Sequence, residues 1–196
     1  MSNKLILITG IPGSGKTYLT KYIEKSYSNF KRISFGETLF SNTSKIKYSE
    51  LRSNPTRNAT KFMIEQTIQE LEKLINKKIK KNNILLDSHA VVADTYGYRV
   101  IPEFNKLLES GIKPSGIIVL NTPKQMIDDF VHRYPEGRKQ ITDIEYNLFQ
   151  SLQNSVAITY SVIAGCPLYF IAHSNEKTNI KVNIELLLTD LEIPFS

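Results

Sequence analysis

Gly10-Ile11-Pro12-Gly13-Ser14-Gly15-Lys16-Thr17, set directly behind the apolar run Leu5-Ile6-Leu7-Ile8, decides how the rest of the chain is read. Outer glycines followed by Lys-Thr make a loop whose backbone N–H groups wrap phosphate oxygens. The helix that follows points the positive end of its dipole at the same charge. The flanks separate this pattern from a glycine-rich turn without function: a buried strand precedes it and helix-forming residues 18–25 follow. Gly10, Pro12, Gly13, Ser14 and Gly15 would cradle the phosphates of a nucleotide. Lys16 would reach the β- and γ-phosphates, and Thr17 would ligate magnesium.

The chain has 196 residues, enough for one α/β domain with its own core, and no repeat, low-complexity linker or shift in composition divides it. Residues 1–196 are therefore expected to form a single domain. One cysteine, Cys166, cannot form an internal disulfide and reads as a small thiol between a helix end and a strand. The phosphate-loop strand begins almost at Met1, which leaves no room for a signal peptide, and no apolar run approaches a membrane span. A cytoplasmic protein is the expectation. The net charge of +6 suits phosphate ligands, but part of the excess sits in Lys77, Lys78, Lys80 and Lys81. There the cations complement the C-terminal end of a predicted helix.

Five strands are predicted, over 5–8, 32–35, 84–86, 116–120 and 168–172. Most are short continuous apolar runs, the pattern of strands covered on both faces. Helices fall between them. One runs from about 56 to 80, with Ile64, Ile68, Leu71, Ile75 and Ile79 along one stripe. Another opens on Thr142-Asp143-Ile144-Glu145, a capping box, and continues through Leu148, Leu152, Val156 and Tyr160 to Gly165. A closing helix is expected over 179–190. The alternation predicts a three-layer α/β/α fold around a five-stranded parallel sheet, with ligands collecting at the carboxyl ends of the strands.

The third strand ends in Asp87, followed by Ser88 and His89. A carboxylate at that place can orient a metal-bound water beside Thr17; the alternative is a cap for the next helix. His89 reads either as a hydrogen-bonded spacer or as a contact to substrate.

Taken together these segments resemble the archaeal-type adenylate kinases and their nucleoside-monophosphate kinase relatives. The resemblance runs through Gly10-Ile11-Pro12-Gly13, Phe35-Gly36-Glu37, Glu50-Leu51-Arg52 and Leu86-Asp87-Ser88-His89-Ala90-Val91. It continues in Gly97-Tyr98, Thr122-Pro123-Lys124 and Ala164-Gly165. It implies magnesium-dependent transfer of the γ-phosphoryl group of ATP to a nucleoside monophosphate, typically AMP, and it admits oligomers. A monophosphate is already ionised, so cations and positioning are needed instead of a base. By the same resemblance Arg52 grips the acceptor phosphate, and Phe35 and Gly36 lodge the acceptor nucleotide, with His89 and Arg99 as further contacts. A short lid over about 131–142 brings Arg133 and Arg138 to the triphosphate, while Pro135 and Gly137 interrupt its helix. The catalytic set is thus Lys16, Asp87, Arg133 and Arg138.

Two departures remove positive charge where the family places it: Ala93 stands for a common arginine, and Asp129 for another at the entry to the lid. Arg99, His132 or Arg133 are the available substitutes. Two other readings therefore stay open, a small-molecule kinase with a different acceptor and a nucleotide-switched RNA or protein assembly factor with weak ATPase activity. Against a nucleic-acid partner, the sequence lacks a basic stretch interleaved with aromatics; Tyr27, Phe30, Lys31 and Arg32 come nearest and read as a loop entering the second strand. His173 and Asn175, in the polar loop after the last strand, are assigned no role.

Overall fold

The structure is a computed structural model that describes residues 3–43, 47, 49–50, 58–94, 97–101, 103–135, 137–172 and 177–193, with the backbone alone at 94, 103 and 177–182. In chain order the strands are β1 (Leu5–Thr9), β2 (Phe30–Ser34), β3 (Asn83–Asp87), β4 (Val91–Asp94), β5 (Gly97–Val100), β6 (Gly116–Asn121) and β7 (Leu168–Ala172). The helices are α1 (Lys16–Ser26), α2 (Phe35–Ser41), α3 (Lys61–Lys78), α4 (Glu103–Glu109), α5 (Lys124–Arg133), α6 (Asp143–Ala164) and α7 (Lys177–Asp190).

Five strands pair in parallel in the order β2-β3-β1-β6-β7, with β1 at the centre. The continuous apolar runs follow from this topology, because alternate residues of one strand serve opposite layers. Leu5 and Leu7 pack with Ile68, Leu71 and Ile75 of α3, Phe104 of α4 and Tyr160 of α6. Ile6 and Ile8, one residue out of phase, pack with Leu19 and Ile23 of α1 and with Ile184, Leu187 and Leu188 of α7. Strand order reverses at β1, so the crevice beyond its carboxyl end, where the phosphate loop begins, is where such a sheet takes a ligand.

Local chemistry accounts for the helix ends. Thr142 accepts from Glu145 N at 3.2 Å while Glu145 Oε2 accepts from Thr142 N at 2.8 Å, so the expected capping box is formed. Gly165 closes α6 in the left-handed conformation at φ 66°. The stripe of α3 buries Ile68, Leu71 and Ile75, with Ile64 and Ile79 half-buried at its margin. Lys77 and Lys78 occupy its last turn, as the dipole argument requires.

Several boundaries move. The described part of α3 starts at Lys61 because the Thr60 hydroxyl captures Met63 N at 3.2 Å, a cap that overrides the helical pattern before it. The second strand covers Phe30–Ser34 instead of 32–35, and Phe35 opens α2 because Ser34 caps that helix through Glu37 N. Asp87 is the last ladder residue of β3, paired with Ile8 on one side and Ser34 on the other. The β4–β5 ribbon is an addition to the five predicted strands. Its second strand is mostly exposed, and the short runs lack the alternating core face that would announce it. No described helix is long and apolar enough to cross a membrane. Cys166 is half-buried against the α3/α6 core, and burial pushes its thiol pKa up, in keeping with an unreactive side chain.

Candidate active site

The loop from Gly10 to Gly15 turns sharply out of β1 into α1. Gly13 takes φ +85°, and a methyl group added there would meet Ile127 Cγ2 at 3.3 Å and Phe130 Cδ1 at 3.5 Å. Glycine is thus required both by conformation and by the close approach of α5. The loop is braced from behind. Thr122, at the end of β6, donates to Ser14 O at 2.7 Å, and Tyr146 of α6 donates to Thr122 O at 2.9 Å.

Lys16 lies at the start of α1 with only 5% exposure, its ammonium folded onto Gly10 O at 2.8 Å and Ile11 O at 3.0 Å. Burial pushes its pKa down to about 8, against the attraction of Asp87. Thr17 Oγ1 donates to Asp87 Oδ2 at 3.1 Å. That bond occupies the hydroxyl proton and leaves the oxygen lone pairs for a metal. A hydroxyl and one carboxylate are hard oxygen donors suited to magnesium, which keeps most of its water and shares phosphate oxygens. Among the described residues no group of three or more His, Cys, Asp or Glu is placed to hold a metal. The donor set therefore fits an ion held largely by the phosphates of its nucleotide.

Asp87 has a second partner that the sequence did not suggest. Arg32 Nη2 lies 2.9 Å from Asp87 Oδ2, and Arg32 Nη1 lies 2.8 Å from Glu37 Oε2 in the first turn of α2. The only signal in sequence was positional: Arg32 stands two residues beyond the buried Phe30 and so shares its inward face. Gln153, fully buried on α6, was also missed. It donates to Thr9 Oγ1 at 2.6 Å and accepts from Val91 N at 3.3 Å, tying α6 to the segment that follows Asp87. A lone glutamine inside a helical pattern carries no sequence signal of such a network.

His89 Nδ1 lies 2.9 Å from Gly10 O, which can only accept, so the proton sits on Nδ1. His89, Phe35, Ser88, Phe104 and Tyr160 line a small cavity on the α3/α4/α6 side of the sheet end. Phe35 is buried at the start of α2 and Gly36 half-buried beside it, both at the carboxyl end of β2. Arg52 lies outside the described residues, as do His173 and Asn175. Arg99 is exposed opposite Val92, while Ala93 faces Tyr98. Cross-strand partners share a face, so Arg99 lies on the other face of the ribbon from Ala93 and does not replace the missing cation there.

The two arginines expected in a lid differ. Arg133, exposed in the last turn of α5, donates through Nε to Asp129 O at 3.1 Å in its own helix. Arg138 lies over the Phe130 ring at 4.8 Å, the same ring that approaches Gly13, and donates to Tyr134 O at 2.7 Å. Phe130 thus links Arg138 to the phosphate loop. Gly137 takes φ +67°, and a methyl group there would lie 2.9 Å from Ser49 Cα, so the segment after α5 touches the one that leads toward Arg52.

A central parallel sheet with this loop at the end of β1, a buried lysine and a hydroxyl–carboxylate pair defines a P-loop domain of the kinase type. A family model described as an AAA domain matches residues 9–146, more than two thirds of the chain, and the chain belongs to that family. Among curated proteins it is similar to the adenylate kinase of Pyrococcus horikoshii, 28% identical over 177 residues covering 88% of each chain. It is also similar to that of Pyrococcus furiosus, 23% identical over 175 residues and 88% of each chain. The adenylate kinase of Methanococcus aeolicus is 25% identical over 189 residues, covering 89% of this chain and 92% of its own.

Proposed function

We propose that this protein is a nucleoside-monophosphate kinase that transfers the γ-phosphoryl group of ATP to AMP, giving two ADP, with magnesium as its metal. The observation that carries the reading is the Thr17–Asp87 hydrogen bond beside buried Lys16. It is supported by likeness, over nearly the whole of both chains, to proteins named adenylate kinase. A cytoplasmic setting suits these substrates.

In this reading the N–H groups of the loop and the start of α1 hold the triphosphate, and Lys16 leaves the Gly10 and Ile11 carbonyls to reach the transferring group. Magnesium would be held by Thr17, with Asp87 orienting a bound water, and would neutralise charge between the β- and γ-phosphates. Arg138, steadied by Phe130, supplies charge from the lid, with Arg133 able to join it by leaving its helix carbonyl. Arg52, Phe35, Gly36, His89 and Arg99 are the residues this reading assigns to the acceptor. No general base is needed, because a phosphate monoester is already an ionised nucleophile; catalysis rests on alignment and charge.

A matrix of donor and acceptor nucleotides with magnesium, scored for diphosphate, tests this. ADP from ATP and AMP is expected, with Arg52→Ala raising the acceptor KM. Failure with every common monophosphate, in a protein that still binds ATP through Lys16, would refute it. The second reading, a small-molecule acceptor, draws on Ala93 and Asp129, both exposed, the first with Arg99 on the opposite face of its ribbon. It predicts ATP consumption with a phosphate-free acceptor and none with AMP.

A further inference from the structure

Arg32 is a buried cation that phosphoryl transfer, as set out above, does not use. Its side chain is 8% exposed and it reaches two carboxylates with two different nitrogens. Its Nε–H is buried with no acceptor among the described residues, and its backbone N–H donates to Glu24 Oε1 at 3.2 Å. Burial opposes the guanidinium charge, but the bonds to Glu37 and Asp87 outweigh it and move the pKa up, so Arg32 stays charged.

Asp87 is the acid that a metal beside Thr17 would need, and its charge is already balanced. Its Oδ2 accepts from both Thr17 and Arg32, and Lys16 is near enough to be held partly by its field. Glu37, half-exposed, pairs with the same guanidinium at 2.8 Å and shares it with Asp87. Two carboxylates, Asp87 and Glu37, thus stand against two cations, Arg32 and Lys16, with no negative charge in excess. A divalent ion entering alone would lose hydration in a place with no net negative charge to replace it. A triphosphate reverses that balance with several negative charges of its own.

We propose that Arg32 is a resident counter-cation for Asp87, which closes the metal position to free divalent ions and admits a metal only on nucleotide phosphates. The inference rests on the reading of Thr17 and Asp87 as the magnesium pair. Arg32 acts through Asp87 and touches no reacting atom, so it is a positioning residue.

The test titrates nucleotide-free protein with Mn2+, read by loss of the free-ion paramagnetic signal, and follows thermal stability against Mg2+. Wild type is expected to show no saturable site in the low millimolar range and no Mg2+-dependent rise in Tm. With ATP present, saturable binding should appear on the protein beyond what the same ATP takes up in a protein-free control. Arg32→Gln removes the charge at similar length and should bind Mn2+ without nucleotide at least about tenfold more tightly than wild type, since the repulsion is gone. The double variant with Asp87→Asn should lose that gain, and Arg32→Lys, which keeps the charge, should behave as wild type. A merely structural role would lower Tm in Arg32→Gln without creating any metal dependence.

Saturable Mn2+ binding by wild type without nucleotide overturns the proposal, as does Arg32→Gln gaining no metal affinity. Should that variant fail to fold, Arg32→Met, uncharged and of similar length, takes its place in the same titration with the same expected gain. Because no acceptor and no turnover are involved, a failure here is distinct from a failure to phosphorylate AMP. A wild type that with ATP takes up no more Mn2+ than the protein-free ATP control overturns both this proposal and the magnesium pair.

Discussion

At the scale of the residue, Lys16 and Asp87 give the sharpest expectations. The pKa of Lys16, about 8, lies below its ordinary 10.5 because the buried ammonium is poorly hydrated. Between those two values the native protein binds fewer protons than the unfolded chain, so this group's contribution to stability rises with pH across that window. Triphosphate restores the charged form. ATP binding at about pH 8.5 should therefore take up protons, measured by calorimetry in buffers of different ionisation heat, and Lys16→Met should abolish the uptake. Asp87→Asn should weaken the dependence on magnesium about 10–100-fold, the usual cost of losing a group that orients a metal-bound water, read as half-saturating Mg2+ for diphosphate formation. Both residues stood out in the sequence, Lys16 by the glycine-rich loop ahead of it and Asp87 by its place at the end of an apolar strand. Arg32 and Gln153 were not, because their partners Asp87, Thr9 and Val91 lie 55 to 144 positions away.

At the scale of the element, local signals were reliable where a side chain closes a backbone bond within a few residues. The Thr142–Glu145 box and the Gly165 stop are both formed where expected. Thr142→Ala should cost about 1 kcal/mol of stability, measured as a shift of the denaturation midpoint, because the N–H of Glu145 loses its acceptor. The same physics moved the start of α3, where the Thr60 cap took precedence over periodicity. The β4–β5 ribbon was missed for the opposite reason. Its strands are fixed by pairing with each other and by Tyr98 packing on Phe149 at 5.0 Å, neither of which leaves a periodic trace.

At the scale of the whole molecule, two segments distant in sequence meet at Gly137. Its left-handed conformation lets the segment after α5 lie against Ser49, next to the stretch that carries Arg52. Gly137→Ala adds a methyl group into that backbone and strains φ, so the two segments must separate. The expected result is an acceptor KM several-fold higher with ATP affinity unchanged, measured by steady-state kinetics beside equilibrium binding of a non-hydrolysable ATP analogue. An equal loss of both would mean that the contact serves the fold and not the acceptor.

The sequence by itself determined the layered architecture and the place of the phosphate-loop motif within it, because both depend on short-range rules. Apolar runs report strands buried on two faces, and a glycine-rich turn with Lys-Thr behind it has one good use at a helix N-terminus. The order β2-β3-β1-β6-β7, with its reversal at β1, then brought Asp87 beside Thr17. Only the tertiary structure decided which charges stand around that carboxylate. It placed Arg32 on Asp87, set Arg99 on the face away from Ala93, and held Arg138 on Phe130 over the loop. The balance of charge in a buried site is a sum over groups from several elements, and a linear chain does not record how they converge.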